Sequence, residues 1–194
     1  MNEKPATYYD DIYRGDREKK ERYFLPAEES QYFPMWSMAV QWIKDSPLKH
    51  TVFDIGCGPG QFADLAHRSG IMVMGGIDFS QEAIDMCQER MKDHSGQFSR
   101  QDLNEVPYPW LVPSSFVTSF EVLEHIENDL RVFRNLPRGQ RVIFSVPSYK
   151  CTGHVRVFPS KMSVLERYGD LLVFQRIHAF GNKKIMWLSE GVIR

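Results

Sequence analysis

A chain of 194 residues, 42% hydrophobic and 13% aromatic, has the apolar content for one domain with a full core and too little length for two comfortable ones. Its 24 basic and 25 acidic residues leave a formal charge of −1, so no global field argues for nucleic acid or an anionic membrane as partner. Three widely separated cysteines, Cys57, Cys87 and Cys151, lack metal-type spacing and fit a reducing, cytoplasmic setting, and no apolar run nears the ~20 residues that span a bilayer, which reads as a soluble protein without an export signal.

Residues 1–48 precede the first strand and read as an N-terminal helical cap on a single domain spanning 1–194. Within them, the charged run Asp16 to Arg22 reads as a solvated helix face, and Tyr32, Phe33, Met35, Trp36, Met38, Ala39, Trp42 and Ile43 predict an amphipathic helix. Thr51 to Ile55 is a β-branched and aromatic run that ends in the glycines Gly56, Gly58 and Gly60. Phe62, Leu65 and Ala66 then recur at helical spacing, with Gly70 as the stop. Ile71 to Ile77 predicts a second strand closing on Asp78, and Ser80 an N-cap for a helix carrying Ala83, Ile84, Cys87 and Met91. Short strands follow at Gln97 to Arg100, Ser115 to Phe120 and Arg141 to Val146, with a short helix from about Asp129 to Leu136 between the last two. Ser160 caps a helix bearing Val164, Leu165 and Tyr168. The final strands, Leu171 to Ala179 and Lys184 to Leu188, are too close for a parallel crossover and must form an antiparallel hairpin. The sum is an α/β fold: a mostly parallel, Rossmann-like sheet with a C-terminal antiparallel hairpin, binding its ligand at the carboxyl ends of the strands.

The glycine loop lies at such an end. Gly56, Gly58 and Gly60 let the backbone turn sharply and approach a ligand, and Asp54 adds a carboxylate at the strand's end. A dinucleotide loop wants glycine three residues after its second, and here that position is Gln61, so a nicotinamide cofactor loses ground.

These segments, densest at Phe53 to Gly60, Gly76 to Ser80, Gln101 to Asn104 and Phe120 to Ile126, resemble the class I S-adenosylmethionine-dependent methyltransferases, among them the ubiquinone-pathway O-methyltransferases. The resemblance implies a seven-stranded sheet with helices on both faces, and a methyl transfer from S-adenosyl-L-methionine to an oxygen or nitrogen of a small-molecule acceptor, with S-adenosyl-L-homocysteine as product. It implies cofactor-binding roles for Asp54, Gly56, Gly58, Gly60, Asp78, Phe79, Asp102, Leu103 and Glu121. Asp78, twenty positions after Gly58, would accept from the ribose hydroxyls; Phe79 would pack on adenine or in the core; Asp102 would accept from the adenine amino group or stay a solvated loop carboxylate. His125 is the candidate catalytic residue, as general base or acceptor-orienting group, against a plain helix-start hydrogen bond. Tyr8, Tyr9 and Tyr13 resemble leading tyrosines that close over the cofactor.

Glu121, Glu124 and His125 also resemble part of the metal cluster of small-RNA 2′-O-methyltransferases, a set that His154, on the loop after the fifth strand, could complete, while Glu124 could instead pair with Arg156 or a surface lysine. An RNA acceptor, a divalent metal, and a non-catalytic cofactor-binding module therefore stand as alternatives, the first opposed by the near-neutral charge. His50, His67, His94 and His178 have no motif around them, and acceptor identity and oligomeric state are not readable in the sequence.

Overall fold

The first strand of the chain lies inside the sheet, beside its central strand. In the computed structural model, which describes residues 2–15, 21–94, 97–104 and 114–194, the strands are β1 (Thr51–Ile55), β2 (Met72–Asp78), β3 (Gln97–Arg100), β4 (Phe116–Phe120), β5 (Arg141–Pro147), β6 (Leu172–Phe180) and β7 (Met186–Ile193). They form one seven-stranded sheet in the order β3-β2-β1-β4-β5-β7-β6. The first five are mutually parallel, while β7 runs antiparallel to both β5 and β6. The order reverses between β1 and β4, and the crevice above their carboxyl ends is where open α/β sheets bind ligands.

Among the described residues, seven α-helices flank the strands: α1 (Ala6–Arg14), α2 (Glu21–Phe24), α3 (Phe33–Lys44), α4 (Gln61–Arg68), α5 (Gln81–Arg90), α6 (Leu130–Arg134) and α7 (Lys161–Tyr168). Alternation along the strands sorts the apolar side chains onto two faces. Val52, Val73, Phe116 and Ile143 pack with Met35, Trp36 and Ile43 of α3, Phe62 and Leu65 of α4, and Ile84 and Cys87 of α5. Phe53, Ile77, Val117 and Phe144 pack on the other face with Val132 and Phe133 of α6 and Val164 and Tyr168 of α7. Helices therefore cover both faces, and the amphipathic helix read from Tyr32 to Ile43 is part of a main core rather than an appendage.

The capping signals work as read. Ser80 Oγ accepts from the Ala83 amide at 3.2 Å, and Ser160 forms a reciprocal capping box with Ser163. The predicted hairpin is present but displaced: the second strand begins at Met186 and runs to Ile193, five residues beyond the expected end. Ser189, Glu190 and Gly191 hid the extension, because polar residues and glycine break an apolar run. Glu190 is fully buried inside the sheet only because Arg141 of β5 (3.0 Å) and Arg176 of β6 (2.5 Å) hold its two oxygens from either side. Most of the charged run Asp16 to Arg22 lies outside the described residues, and only Glu21 and Arg22 are placed, on α2.

Candidate functional site

The loop between β1 and α4 is built from conformations only glycine adopts freely. Gly56, Gly58 and Gly60 have φ of 72°, 51° and 75°. A Cβ on Gly56 would stand 2.2 Å from Val122 Cγ2, so the loop and the segment after β4 touch backbone to side chain. Gly60 is the N-cap of α4 and packs against Cys87, which leaves it behind the cavity wall rather than in it. Asp78, at the end of β2, fixes the loop from the side: its Oδ2 accepts from the Gly58 amide at 3.0 Å and its Oδ1 from the Ser80 amide at 2.9 Å. Gln61, standing where a dinucleotide loop has glycine, is buried and donates to the carbonyls of Arg22 and Leu25, tying the N-terminal segment to the loop.

Above this loop opens a cavity of about 560 Å³ lined by Asp54, Gly56, Gly58, Asp78, Phe79, Asp102, Leu103, Glu121 and His125. All the predicted site residues except Gly60 therefore converge on one space. Asp102 spends one oxygen on the Asn104 amide (2.8 Å), closing a local turn at the far end of the cavity. Asp54 is buried and accepts from the Thr118 hydroxyl at 2.6 Å. Glu121 holds a strained φ of 56° and is bonded to Ser145 through both its amide and its carboxyl group. Burial, opposed by these hydrogen bonds, pushes Asp54 and Glu121 up to about 7 and Asp78 up to about 6.

The N-terminal helix α1 lies across the opening. Asp10 accepts from the Ser80 hydroxyl at 2.6 Å, Arg14 faces Glu82 at 3.5 Å, and Glu3 bridges the Asn104 side chain and the Glu127 amide. Tyr9 packs 5.0 Å from Phe79, centroid to centroid, and its hydroxyl meets His125 Nδ1 at 2.9 Å. Tyr13 brings its hydroxyl to the open side of Gly58. Composition alone did not show this helix: no residue of α1 is buried in the core, and its one sharp signal is Gly15, which ends it in the left-handed conformation.

Beyond β4, Glu124, His125 and His154 gather so that one ligand atom from each lies within 4.8 Å of the others. Glu124 is fully buried with both carboxyl oxygens unpartnered, and burial together with Glu121 drives its pKa well up. Arg156 does not pair with it. That guanidinium donates to the carbonyls of Leu123, Ile126 and Glu127 and faces Asp129 at 3.3 Å. Glu121 stands apart from the triad, engaged by Ser145. His154 Nδ1 donates to the Tyr149 carbonyl (3.0 Å), which leaves its Nε2 bare, while His125 shares a hydrogen bond with the Tyr9 hydroxyl through Nδ1, engages the Gly153 backbone and has Nε2 3.8 Å from Glu124 Oε1. Burial, with His154 alongside, pulls His125 down to about 4, so it is neutral near pH 7.

A family model described as a methyltransferase domain matches residues 20–190. No curated protein matches the sequence. Among solved structures, the chain is similar to magnesium protoporphyrin IX methyltransferase from Synechocystis PCC 6803 with bound SAM (TM-score 0.71, 16% identity, 97% of each chain covered). It is also similar to the N-methyltransferase NodS from Bradyrhizobium japonicum WM9 in complex with S-adenosyl-L-homocysteine (TM-score 0.65, 15% identity, 85% of this chain and 89% of that one). The [4+2]-cyclase SpnF is similar as well (TM-score 0.72, 12% identity, 100% and 98% covered). At such identities the likeness to these three is one of fold, the seven-stranded arrangement with its antiparallel hairpin.

Proposed function

The chain belongs to the methyltransferase-domain family, and on that premise we propose that it methylates an oxygen or nitrogen of a small-molecule acceptor using S-adenosyl-L-methionine. One observation carries the choice of cofactor: Asp54, Asp78, Glu121 and Glu124 line a single cavity, all held above the usual carboxylate range by burial. Such a set fits a ligand that brings positive charge to it. When bound, the cofactor supplies a methyl group made electrophilic by a sulfonium. The chain's own residues position, shield and move protons. Gly58 leaves the backbone open to close approach, with Gly56 seated against Val122 beside it, Asp78 accepts from the ribose, and Asp102 and Leu103 hold adenine with Phe79 against its face. Asp54 and Glu121 favour the cationic end of the ligand. Tyr8, Tyr9 and Tyr13 of α1 exclude water from it. His125, neutral and touching the cavity, orients the acceptor and takes its proton where the acceptor has one to lose. Cys57, Cys87 and Cys151 are free thiols, in keeping with a cytoplasmic setting.

The test is calorimetric titration with S-adenosyl-L-homocysteine, followed by turnover of S-adenosyl-L-methionine against phenols, amines and carboxylic acids. Binding without consumption would identify a cofactor-binding module instead. A second reading is favoured by the two orphan oxygens of Glu124: a divalent cation held by Glu124, His125 and His154, polarising an acceptor hydroxyl. His154 keeps Nε2 for such an ion, its Nδ1 being held by the Tyr149 carbonyl, and Tyr9 orients the His125 ring. Thermal unfolding with Mg²⁺, Mn²⁺ or Zn²⁺ decides it: a shift in the natural chain that vanishes in Glu124→Gln supports the ion.

A further inference from the structure

One wall of the cavity carries a cation among aromatic rings. Gln31, Tyr32, Trp36, Tyr149 and Lys184 line it. Lys184 arrives there through topology: β7 runs back along β5 with Met186 opposite Pro147, which places the β6–β7 turn over the carboxyl ends of the parallel strands. The turn is stapled in place, since the Ser148 amide donates to the Ile185 carbonyl at 2.7 Å and the Ile185 amide to Ser148 Oγ at 3.0 Å. Lys184 Nζ then sits 5.3 Å from the centre of the Tyr149 ring, and among the described residues it pairs with no carboxylate. Trp36 is buried in the same wall, and its indole N–H has no partner. Burial, with the Glu121 carboxylate alongside, holds the Tyr32 and Tyr149 phenols above their ordinary range, Tyr149 at about 12, so both remain hydrogen-bond donors. An ammonium, an orphan indole N–H and two phenols on aromatic walls form a donor-rich mouth.

Resting on the methyltransferase reading, we infer that Lys184 and Trp36 bind a carboxylate of the acceptor, which is a planar aromatic acid seated between Tyr32, Trp36 and Tyr149. The cation and the buried N–H answer the carboxylate, and the rings answer the flat body. The acceptor's reacting hydroxyl or amine then points inward, toward His125.

The experiment is calorimetric titration of hydroxylated aromatic acids and their methyl esters, each with and without S-adenosyl-L-homocysteine. The proteins are the natural chain, Lys184→Gln, Lys184→Arg and Trp36→Phe. Acids are expected to bind the natural chain at least roughly tenfold more tightly than esters, the scale of one charge-assisted hydrogen bond. Lys184→Gln should erase that preference without changing affinity for the nucleoside, Lys184→Arg should keep most of it, and Trp36→Phe should weaken acids more than esters. Equal binding of acid and ester, no binding of any acid, or an unchanged acid affinity in Lys184→Gln overturns the inference. Failure of the nucleoside to bind the natural chain would instead bring down the methyltransferase reading, while the acids titrated alone still report on the mouth.

Discussion

Replacing Asp78 by Asn separates the structural and ligand-binding parts of this site. The carboxylate receives two backbone amides, Gly58 at 3.0 Å and Ser80 at 2.9 Å. An asparagine has one oxygen to offer, so its NH₂ must face one of those donors, and one charge-assisted bond is lost. Such bonds contribute about 1.5–3 kcal/mol. Burial, which lifts the Asp78 pKa, penalises the charge and offsets part of this, so the lower end applies, about 1.5–2 kcal/mol. For a chain of this size that is a fall in Tm of roughly 3–8 °C. The same change removes the charge proposed to accept from the ribose, which predicts a roughly 10- to 100-fold loss in S-adenosyl-L-homocysteine affinity. Scanning fluorimetry and calorimetry read the two effects separately. Ser160→Ala is the control: it breaks the capping box of α7, far along the chain from the loop, and should cost about 1 kcal/mol of stability with no loss of affinity. If Asp78→Asn loses stability but binds the nucleoside within twofold of the natural chain, Asp78 is a loop brace only and its ligand role is wrong.

His125→Ala should cut turnover by about 10²–10⁴-fold while changing cofactor affinity little, measured as kcat against Kd; equal turnover would remove it from the chemistry. Gly56→Ala forces a Cβ to 2.2 Å from Val122 Cγ2 at a φ of 72° and should destabilise the fold by about 1–3 kcal/mol, with Val122→Ala relieving the clash but not the backbone strain. The raised carboxyls set a pH dependence. With folded values near 6 for Asp78 and near 7 for Asp54 and Glu121, above ordinary carboxylates, their contribution to stability is present below about pH 4 and is lost as pH rises through 6 to 7. A cationic ligand favours their ionised forms, so binding releases protons and affinity for S-adenosyl-L-methionine should climb from pH 5.5 to 8. Calorimetry in buffers of different ionisation heat measures the release, and an affinity that falls over that range would contradict the electrostatic argument.

Much of the architecture was legible because local signals and burial agreed. The glycine loop, Ser80 and Ser160 each do in space what their chemistry requires in sequence. The extent of β7 was not legible, because Glu190 is acceptable inside a sheet only when Arg141 and Arg176 arrive from neighbouring strands, and no local pattern announces a partner that distant. The same holds for α1, whose tyrosines face a cavity rather than a core. His125 and His154 could be named as a possible pair, but their meeting beside the orphan oxygens of Glu124 depends on how the loop after β5 folds back, with the Val155 amide on the Glu124 carbonyl at 2.8 Å. Arg156 shows the limit of charge matching in sequence: its guanidinium serves carbonyls and Asp129, and forms no salt bridge with Glu124.

The arginine-clasped glutamate of β7 has a reach beyond its own surroundings. Glu190 lies four residues from Met186, roughly 13 Å along the strand, and the pairing it anchors determines where the following turn hangs. A slip of one residue would turn every β7 side chain to the opposite face and carry Lys184 away from Tyr149. On the role proposed for Lys184, acceptor choice can therefore drift through changes in the length or register of one hairpin, while the proposed nucleoside site stays untouched.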